Sequence, residues 1–240
     1  MKPTILMMGH TMPELAARKG DFCHWYAEKI GWSLDRFVVV DVVGGEALPD
    51  PASVEGLIIS GSAHCVADEA PWSVAAGKWA SQVVRSGVPT LAICYGHQLL
   101  AHTMGGQVGL NPKGREIGVL PMKKVIDDQI FHGLPDTFPV IQTHVDAVLR
   151  LPDNAEQIAT NSHCTFQAFR WGDNVRAVQW HPEFDAEVIK HYIHVRQDAI
   201  DAEGGPGTAA RILNAVQDVD SGAIILRNFV RYFLKQEPGV

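Results

Sequence analysis

The chain has 240 residues, of which 46% are apolar and 20% are charged, so it can bury a large core and is not a disordered protein. Its 27 acidic residues outnumber its 20 basic residues and leave a net charge of −7. A surface of that sign repels phosphate backbones, which argues against a general nucleic-acid binder.

Strands and helices are predicted to alternate over the first part of the chain. Near-continuous apolar runs, typical of strands buried on both faces, occur at 3–9, 37–43, 56–60 and 88–94. Helices with start or stop signals of Asp, Pro or Gly are predicted at 22–30, 71–85 and 96–104. This alternation predicts a doubly wound, mostly parallel sheet covered by helices on both faces.

The pattern changes after residue 115. Short alternating runs predict strands and hairpins added to the sheet at 117–125, 138–142, 147–151, 166–171 and 175–180. Helical patterns return from 186 to 234, with breaks at 204–207 and 221–222. Because no linker or internal repeat interrupts the chain, we expect a single domain over residues 1–240, with 186–240 as its helical C-terminal extension.

Membrane insertion and disulfide stabilisation are not expected. No apolar run approaches the roughly 18–20 residues that a membrane-spanning helix needs, and the N-terminus has no signal-peptide pattern. The four cysteines show no C-x-x-C spacing. We therefore expect a soluble, cytoplasmic protein with no membrane partner.

Cys94 lies at a position in the predicted fold that is typical of a catalytic nucleophile. Cys94 follows an apolar strand and precedes a helix, and Gly96 comes two residues later. Ligands of parallel sheets bind at the carboxyl ends of the strands, and such a turn exposes its side chain above the sheet. The helix N-terminus favours a thiolate, and the amide of Tyr95 can donate to an oxyanion. On spacing alone, burial as a small apolar residue is the more frequent role of a cysteine, and we assign it to Cys23, Cys65 and Cys164.

A histidine and a carboxylate follow another strand. His181, Pro182 and Glu183 come directly after the predicted strand that ends at Trp180. A proline favours an extended backbone in the residue before it, and residues two apart in an extended segment point to the same side. His181 and Glu183 can therefore face a common site, as a base and the group that orients it. The alternative is a polar turn that closes a strand.

A glycine loop is the third signal. Ser60, Gly61 and Ser62 end the apolar run at 56–60, and glycine lets a backbone turn sharply and bring N–H groups to a ligand. With the amide of Tyr95, the amide of Gly61 can complete an oxyanion hole. Read alone, the segment is an ordinary loop. Each of the three signals is weak by itself, and their joint occurrence is much stronger.

In combination, these segments resemble the class I, or triad, glutamine amidotransferases, in the stand-alone branch that is similar to GMP synthase and includes γ-glutamyl peptide hydrolases. The resemblance covers about residues 1–185. It rests on the segments 57–62, 93–98, 105–106, 116–118, 143–146 and 180–183. Ala92 departs from the family's usual G-x-C-x-G, whose first position is glycine. The resemblance implies a three-layer, flavodoxin-like α/β fold with added antiparallel strands and C-terminal helices.

The resemblance also implies a role for each matched residue. Cys94 attacks the side-chain amide of glutamine and forms a γ-glutamyl thioester, His181 transfers the protons, and Glu183 orients His181. The backbone amides of Gly61 and Tyr95 hold the oxyanion. The residues implied to line the glutamine pocket are Gln98, Thr143 and His144.

For the remaining polar residues we expect structural roles. Asp146 and Glu116 are interpreted as residues that fix loops. His191 and His194 have the i, i+3 spacing that can suit a metal on a helix, but no third ligand is evident in the sequence. We therefore expect no metal site and no cofactor.

The expected function is hydrolysis of the γ-glutamyl amide bond of glutamine or another small γ-glutamyl compound, with release of ammonia or an amine. One alternative is a protein that passes ammonia to a separate synthase, because the chain has no G-x-x-x-x-G-K-[ST] phosphate loop and no room for a second catalytic domain. The other is a non-catalytic binding module, against which the intact Cys94, His181 and Glu183 argue. We expect the first loop, 9–20, and the C-terminal helices to shape the leaving-group pocket.

Overall fold

The computed structural model describes residues 2–239. The strands of this part of the chain are β1 (Thr4–Met7), β2 (Val38–Asp41), β3 (Leu57–Ile59), β4 (Thr90–Ile93), β5 (Gln107–Leu110), β6 (Glu116–Lys124), β7 (Thr137–His144), β8 (Asp146–Arg150), β9 (Ala155–Thr160), β10 (Ala168–Trp171) and β11 (Val175–Val178). The helices are α1 (Pro13–Lys19), α2 (Phe22–Ile30), α3 (Pro71–Arg85), α4 (Tyr95–Thr103), α5 (Ala186–Val195), α6 (Gln197–Gly204), α7 (Thr208–Ala215) and α8 (Ser221–Asn228).

Nine strands form one sheet in the order β2-β1-β3-β4-β11-β10-β9-β6-β7, and β5 pairs with β8 separately. The first five strands in that order are parallel, and the pairs that follow them are antiparallel. Through these pairings, β6 and β10 run opposite to the rest of the sheet. The carboxyl ends of β3, β4, β7 and β11 therefore lie at the same edge.

Both faces of β1, β3 and β4 are buried, which is why their sequences are almost entirely apolar rather than alternating. In and just after β1, Ile5 and Met7 belong to one buried cluster, and Leu6 and Met8 belong to the other. The first cluster includes apolar side chains of α2, α5 and α8, and the second includes those of α3 and α4. This arrangement confirms the predicted α/β fold, with a layer of helices on each face of the sheet.

The helix signals of the sequence act as expected in α2 and α3. The Asp21 carboxylate accepts the N–H of Phe22 at 2.8 Å, and the N–H of Asp21 donates to the His24 ring at 3.1 Å. Gly31 ends α2 in the left-handed conformation, with φ 79°, which glycine adopts without strain. Helix α3 spans the predicted 71–85 and begins at Pro71. No helix within residues 2–239 is long and apolar enough to cross a membrane.

Three features differ from the sequence-based expectation. Strand β2 is an edge strand, with Val38 43% exposed, because no strand pairs on its outer side in the described sheet. The segment expected to be a first loop contains α1, a helix of seven residues that buries only Leu15 and is too short for a periodic pattern. Strands β5 and β9 are absent from the prediction because both segments are short and mix polar with apolar residues.

Candidate active site

The candidate residues meet at one edge of the sheet. Gly61 follows β3, Cys94 follows β4, His181 follows β11, and Thr143 lies near the end of β7. The N–H of His181 donates to the carbonyl of Ile141 in β7 at 2.9 Å, and this bond joins the end of β11 to β7. The carboxyl ends of these strands thus form the crevice in which ligands of α/β sheets bind.

Cys94 occupies a strained turn between β4 and α4. Its backbone has φ 50° and ψ −103°, a conformation that residues other than glycine rarely adopt and that clusters at functional sites. Its N–H donates to the carbonyl of Val178 at 2.8 Å, and its own carbonyl accepts the N–H of Gln98 at 3.1 Å. These bonds fix the thiol at the N-terminus of α4, with 6% of the residue exposed.

Two glycines allow a close approach of the backbone around the thiol. A Cβ atom on Gly96 would lie 2.6 Å from the carbonyl oxygen of Ile59, so α4 can pack this closely on β3 only with glycine there. A Cβ atom on Gly61 would lie 2.8 Å from Cε1 of His181 and 3.7 Å from Cβ of Cys94. Gly61 therefore lies directly against the imidazole and next to the cysteine.

His181 is buried between a carboxylate and an aromatic ring. Its Nδ1 lies 2.7 Å from Oε1 of Glu183, and Phe184 stacks on the imidazole with ring centroids 4.1 Å apart. Burial by itself lowers the pKa of His181, but the charges of Glu183 and Cys94, and hydrogen bonds to both, raise it to about 10. The imidazole is therefore suited to hold a proton between the thiol and the carboxylate.

The hydroxyl of Tyr26 supports this arrangement from α2. It donates to Oε1 of Glu183 at 3.4 Å. Burial, the charge of Glu183 and the charge of Cys94 raise the pKa of Tyr26 well above its usual range, while the backbone amide of Gly61 lowers it. The hydroxyl therefore stays protonated and can donate to the Glu183 carboxylate.

A cavity of about 390 Å³ opens beside the thiol. It is lined by residues that include Cys94, Tyr95, Gln98, Thr143 and His144. The side-chain amide of Gln98 donates to the carbonyl of Asp146 at 2.9 Å and to Oε1 of Gln179 at 3.0 Å. These two bonds fix Gln98 in the cavity wall.

A buried network centred on Glu116 holds His144. Nε2 of His144 lies 3.0 Å from Oε2 of Glu116, and Nδ1 faces the carbonyl oxygen of Asp146 at 2.8 Å. Asn161 and Gln167 donate to Glu116 at 2.5 and 2.6 Å. Burial by itself raises the pKa of Glu116, but hydrogen bonds and the charge of His144 lower it overall. Glu116 and the backbone of Asp146 thus support one wall of the cavity.

A smaller cavity, of about 130 Å³, opens on the other side of the site and is lined by His181. The first loop and α5 supply other lining residues: His10, Thr11, Met12, Tyr192 and Arg196. The hydroxyls of Thr11 and Tyr192 lie 3.1 Å apart, and Lys19 at the end of α1 donates to Asp185 at 2.6 Å. These contacts fasten the first loop to α5.

A larger cavity, of about 950 Å³, lies between β6 and helices α6 and α7. Neither Cys94 nor His181 lines this cavity.

The other cysteines have no such surroundings. Burial raises the pKa of Cys23 to about 11 and that of Cys164 to about 12. Burial and a hydrogen bond of 2.8 Å to the carboxylate of Asp146 raise the pKa of Cys65. A raised pKa keeps a thiol protonated and unreactive. Within residues 2–239, no three His, Cys, Asp or Glu side chains are grouped so that they could hold a metal ion.

Four residues of the site lie outside the sequence-based prediction. Tyr26 and Arg196 come from α2 and from the end of α5, which no motif connects to the strand ends. Asn161 comes just after β9, and Gln167 just before β10. Since β10 runs opposite to its neighbours, its first residue lies at the same edge as the last residues of the others. That position is the signal by which Gln167 can be found.

Comparison with known proteins decides the family. Residues 38–197 match the family model described as glutamine amidotransferase class-I. The chain belongs to this family. A glutamine amidotransferase of Thermotoga maritima has a similar fold, with a TM-score of 0.77 at 22% identity over 98% of this chain and 100% of that one.

The chain is also similar to curated proteins with two different names. It is 39% identical to a glutamine-hydrolyzing GMP synthase of Aeropyrum pernix, over 62% of this chain and 28% of that protein. It is 27% identical to gamma-glutamyl peptidase 3 of Arabidopsis thaliana, over 71% of this chain and 72% of that protein. The chain thus spans less than a third of the GMP synthase and most of the peptidase.

Proposed function

We propose that this chain hydrolyses the γ-glutamyl amide bond of glutamine or of another γ-glutamyl compound through a thioester on Cys94. The observation that carries the proposal is the buried set at the sheet edge: Cys94 on a strained turn, His181 beside it where both lie against Gly61, and Glu183 at 2.7 Å from His181. A nucleophile, a base and a group that orients the base are what covalent catalysis by a thiol requires. The names of the relatives, glutamine-hydrolyzing GMP synthase and gamma-glutamyl peptidase, support the same substrate class.

In the first half-reaction, the thiolate of Cys94 attacks the amide carbon. The carbonyl oxygen becomes an oxyanion, which the amides of Tyr95 and Gly61 stabilise. The protonated His181 donates its proton to the nitrogen, the C–N bond breaks, and ammonia or an amine leaves a γ-glutamyl thioester behind.

In the second half-reaction, water replaces the amine. The now neutral His181 takes a proton from water as the oxygen attacks the thioester carbon. The C–S bond breaks, glutamate leaves, and the Cys94 thiolate returns beside a protonated imidazole. Glu183 keeps its charge through both halves and stabilises the imidazolium each time it forms. Gln98, Thr143 and His144 hold the glutamyl part in the 390 Å³ cavity.

A synthase partner is the second candidate. One relative, from Archaeoglobus fulgidus, is 35% identical over 45% of this chain and 62% of its own length, and its name describes it as one of the subunits of a glutamine-hydrolyzing GMP synthase. A separate chain can therefore act with a domain of this kind. In that case the first half-reaction is the same, and the ammonia passes to the partner. Gamma-glutamyl peptidase 5 of Arabidopsis thaliana is 24% identical over 88% of this chain and 88% of its own length, and its name supports hydrolysis of a γ-glutamyl compound.

The test is labelling with a glutamine-mimicking diazo-ketone, followed by peptide mass spectrometry. We expect modification of Cys94, loss of labelling in Cys94→Ala, and protection by glutamine. Cys23 and Cys164 serve as internal controls because burial raises the pKa of both thiols. An unmodified Cys94 in folded protein overturns the proposal. Release of ammonia from glutamine and of amines from γ-glutamyl dipeptides, with and without candidate synthases, then separates the two candidates.

A further inference from the structure

Arg196 lies between the two cavities of the site. It is the residue that ends α5, and it lines both the cavity with Cys94 and Gln98 and the cavity with His181. Its guanidinium carbon lies 4.7 Å from the ring centroid of Tyr192, one helical turn earlier. The tyrosine ring thus holds the arginine side chain along the wall that α5 contributes.

The guanidinium of Arg196 has a hydrogen-bond donor that no described residue accepts. Its Nη1 atom is buried and has no hydrogen-bond partner among the described residues. The neighbouring Arg115, by contrast, makes two bonds to Glu203, at 2.9 and 3.0 Å. Burial and the charge of the nearby Arg115 lower the pKa of Arg196, while the charge of Cys94 acts in the opposite direction. Arg196 is therefore a half-buried cation with a free donor, close to the nucleophile.

A free, half-buried guanidinium recognises a planar anion. Leaving a buried charged donor without a partner is unfavourable, and a carboxylate matches the fork of the guanidinium with two parallel hydrogen bonds. Substrates with a carboxylate on the departing amine are γ-glutamyl amino acids. Glutamine lacks that carboxylate, because its departing group is ammonia.

We propose that Arg196 binds the carboxylate of an amino-acid leaving group and so makes the site selective for γ-glutamyl amino acids over neutral γ-glutamyl amides. The inference rests on the proposed function and adds a subsite to it. Two features place the carboxylate on the His181 side of the site. His181 protonates the departing nitrogen, and the cavity that His181 and Arg196 share also contains the hydroxyls of Thr11 and Tyr192.

The size of this cavity fits a small leaving group. Its volume of about 130 Å³ corresponds to roughly four water molecules at about 30 Å³ each, which suits a small amino acid such as glycine. The walls from the first loop and from α5 are fastened by ion pairs of Lys19 with Asp185 and Glu187. These ion pairs hold the first loop beside the start of α5.

The experiment compares two substrates that differ only in the distal charge, γ-glutamyl-glycine and γ-glutamyl-glycinamide. For the unmodified chain we expect kcat/KM for the carboxylate to exceed that for the amide by about ten- to a hundredfold, the range for a hydrogen bond to a charged group. In Arg196→Gln the ratio should fall to about one. Arg196→Lys keeps the charge but not the fork, so it should retain part of the preference.

The control is Arg211→Gln, which removes an exposed arginine of α7 and should leave the ratio as in the unmodified chain. Both substrates are measured on the same variant, and partial unfolding of Arg196→Gln lowers kcat/KM for both by the same factor. The ratio of the two values is therefore unaffected. An Arg196→Gln variant that slows both substrates equally overturns the inference and assigns Arg196 to the α-carboxylate of the glutamyl part. An unmodified chain that cleaves both dipeptides without preference overturns it as well. A chain that cleaves no γ-glutamyl compound at all contradicts the proposed function itself.

Discussion

Nδ1 of His181 lies 2.7 Å from Oε1 of Glu183, and both side chains are almost completely buried. Glu183 therefore acts on His181 with little screening by solvent, and it is a main reason why the pKa of His181 is raised. In Glu183→Gln the imidazole keeps an acceptor but loses the charge that stabilises its cation. We expect kcat to fall by about 10²- to 10⁴-fold, with a much smaller change in KM.

The same variant has a second readout. Without Glu183 the pKa of His181 falls, so the thiolate–imidazolium pair becomes less favourable and alkylation of Cys94 by iodoacetamide at neutral pH slows. The control is Glu55→Gln, which removes an exposed carboxylate just before β3 and should leave both quantities nearly unchanged. A Glu183→Gln variant with unchanged alkylation and unchanged kcat would show that Glu183 has only a structural role.

A methyl group at Gly61 should remove activity and also cost some stability, because it displaces a buried imidazole. Its Cβ atom would lie 2.8 Å from Cε1 of His181, so the imidazole must move from its position near Cys94 and Glu183. We expect Gly61→Ala to lower kcat by about 10²-fold or more, because small displacements of a catalytic group have effects of that size. Steady-state kinetics and thermal unfolding measure the two effects separately.

Gly96→Ala provides the contrast to Gly61→Ala. Here the Cβ atom would lie 2.6 Å from the backbone oxygen of Ile59, and backbone cannot rotate away as a side chain can. We expect a loss of stability of about 1–3 kcal/mol from overpacking between α4 and β3, measured by urea unfolding. Equal effects of the two substitutions on stability and on kcat would contradict this assignment of the two glycines.

The sequence predicts those features of the fold and of the site that depend on neighbouring residues. Apolar runs buried on both faces mark β1, β3 and β4, and Asp21 and Pro71 mark the starts of α2 and α3, because burial and capping act on neighbouring residues. The positions of Cys94 and His181 directly after strands follow in the same way, since in a parallel sheet such positions share one edge.

The parts that depend on contacts between distant segments are not predictable from patterns. The β-branched run of β2 is compatible with a central strand, and only the strand order shows that it lies at the edge. The unpaired donor of Arg196 is visible only once α5 is packed beside the first loop, because the sequence does not show which arginine lacks a carboxylate. For the same reason Arg115 and Arg196 look equivalent in the sequence, and only Arg115 has Glu203 as a partner.

Glu116 should stabilise the fold through the network that holds His144. Its side chain is 2% exposed, and it accepts hydrogen bonds from Asn161 and Gln167 as well. In Glu116→Gln an NH₂ group replaces one of the accepting oxygens and faces one of these donors. Two donors cannot form a hydrogen bond with each other, so the buried network is left incomplete. We expect a loss of about 3–5 kcal/mol in the free energy of unfolding and a higher KM, because His144 lines the cavity beside Cys94.

The pH dependence gives a check on the role of Glu116. Its pKa is lowered in the folded chain, so its contribution to stability is present above the pKa of the unfolded chain, about 4.5, and is lost as the pH falls through the folded value. The difference between the unmodified chain and Glu116→Gln should therefore be large at neutral pH and shrink under acid conditions. Urea unfolding at both pH values measures it, and a difference that grows with acidity would contradict the prediction.

His10 should give the opposite pH dependence. Its Nδ1 lies 2.8 Å from Asp21 and its Nε2 lies 3.2 Å from Asp41. Burial by itself lowers the pKa of His10, but the two carboxylates raise it overall. Since the folded pKa exceeds the unfolded one, the stabilising contribution is fully present below about pH 6.5 and is lost as the pH rises through the folded pKa. The melting temperature of the unmodified chain should exceed that of His10→Gln most at about pH 6 and least at about pH 9.

The control is His194→Gln, which removes an exposed histidine of α5 and so tests the loss of a histidine elsewhere. A difference between the unmodified chain and His10→Gln that increases toward alkaline pH would show that the two carboxylates do not hold the imidazolium.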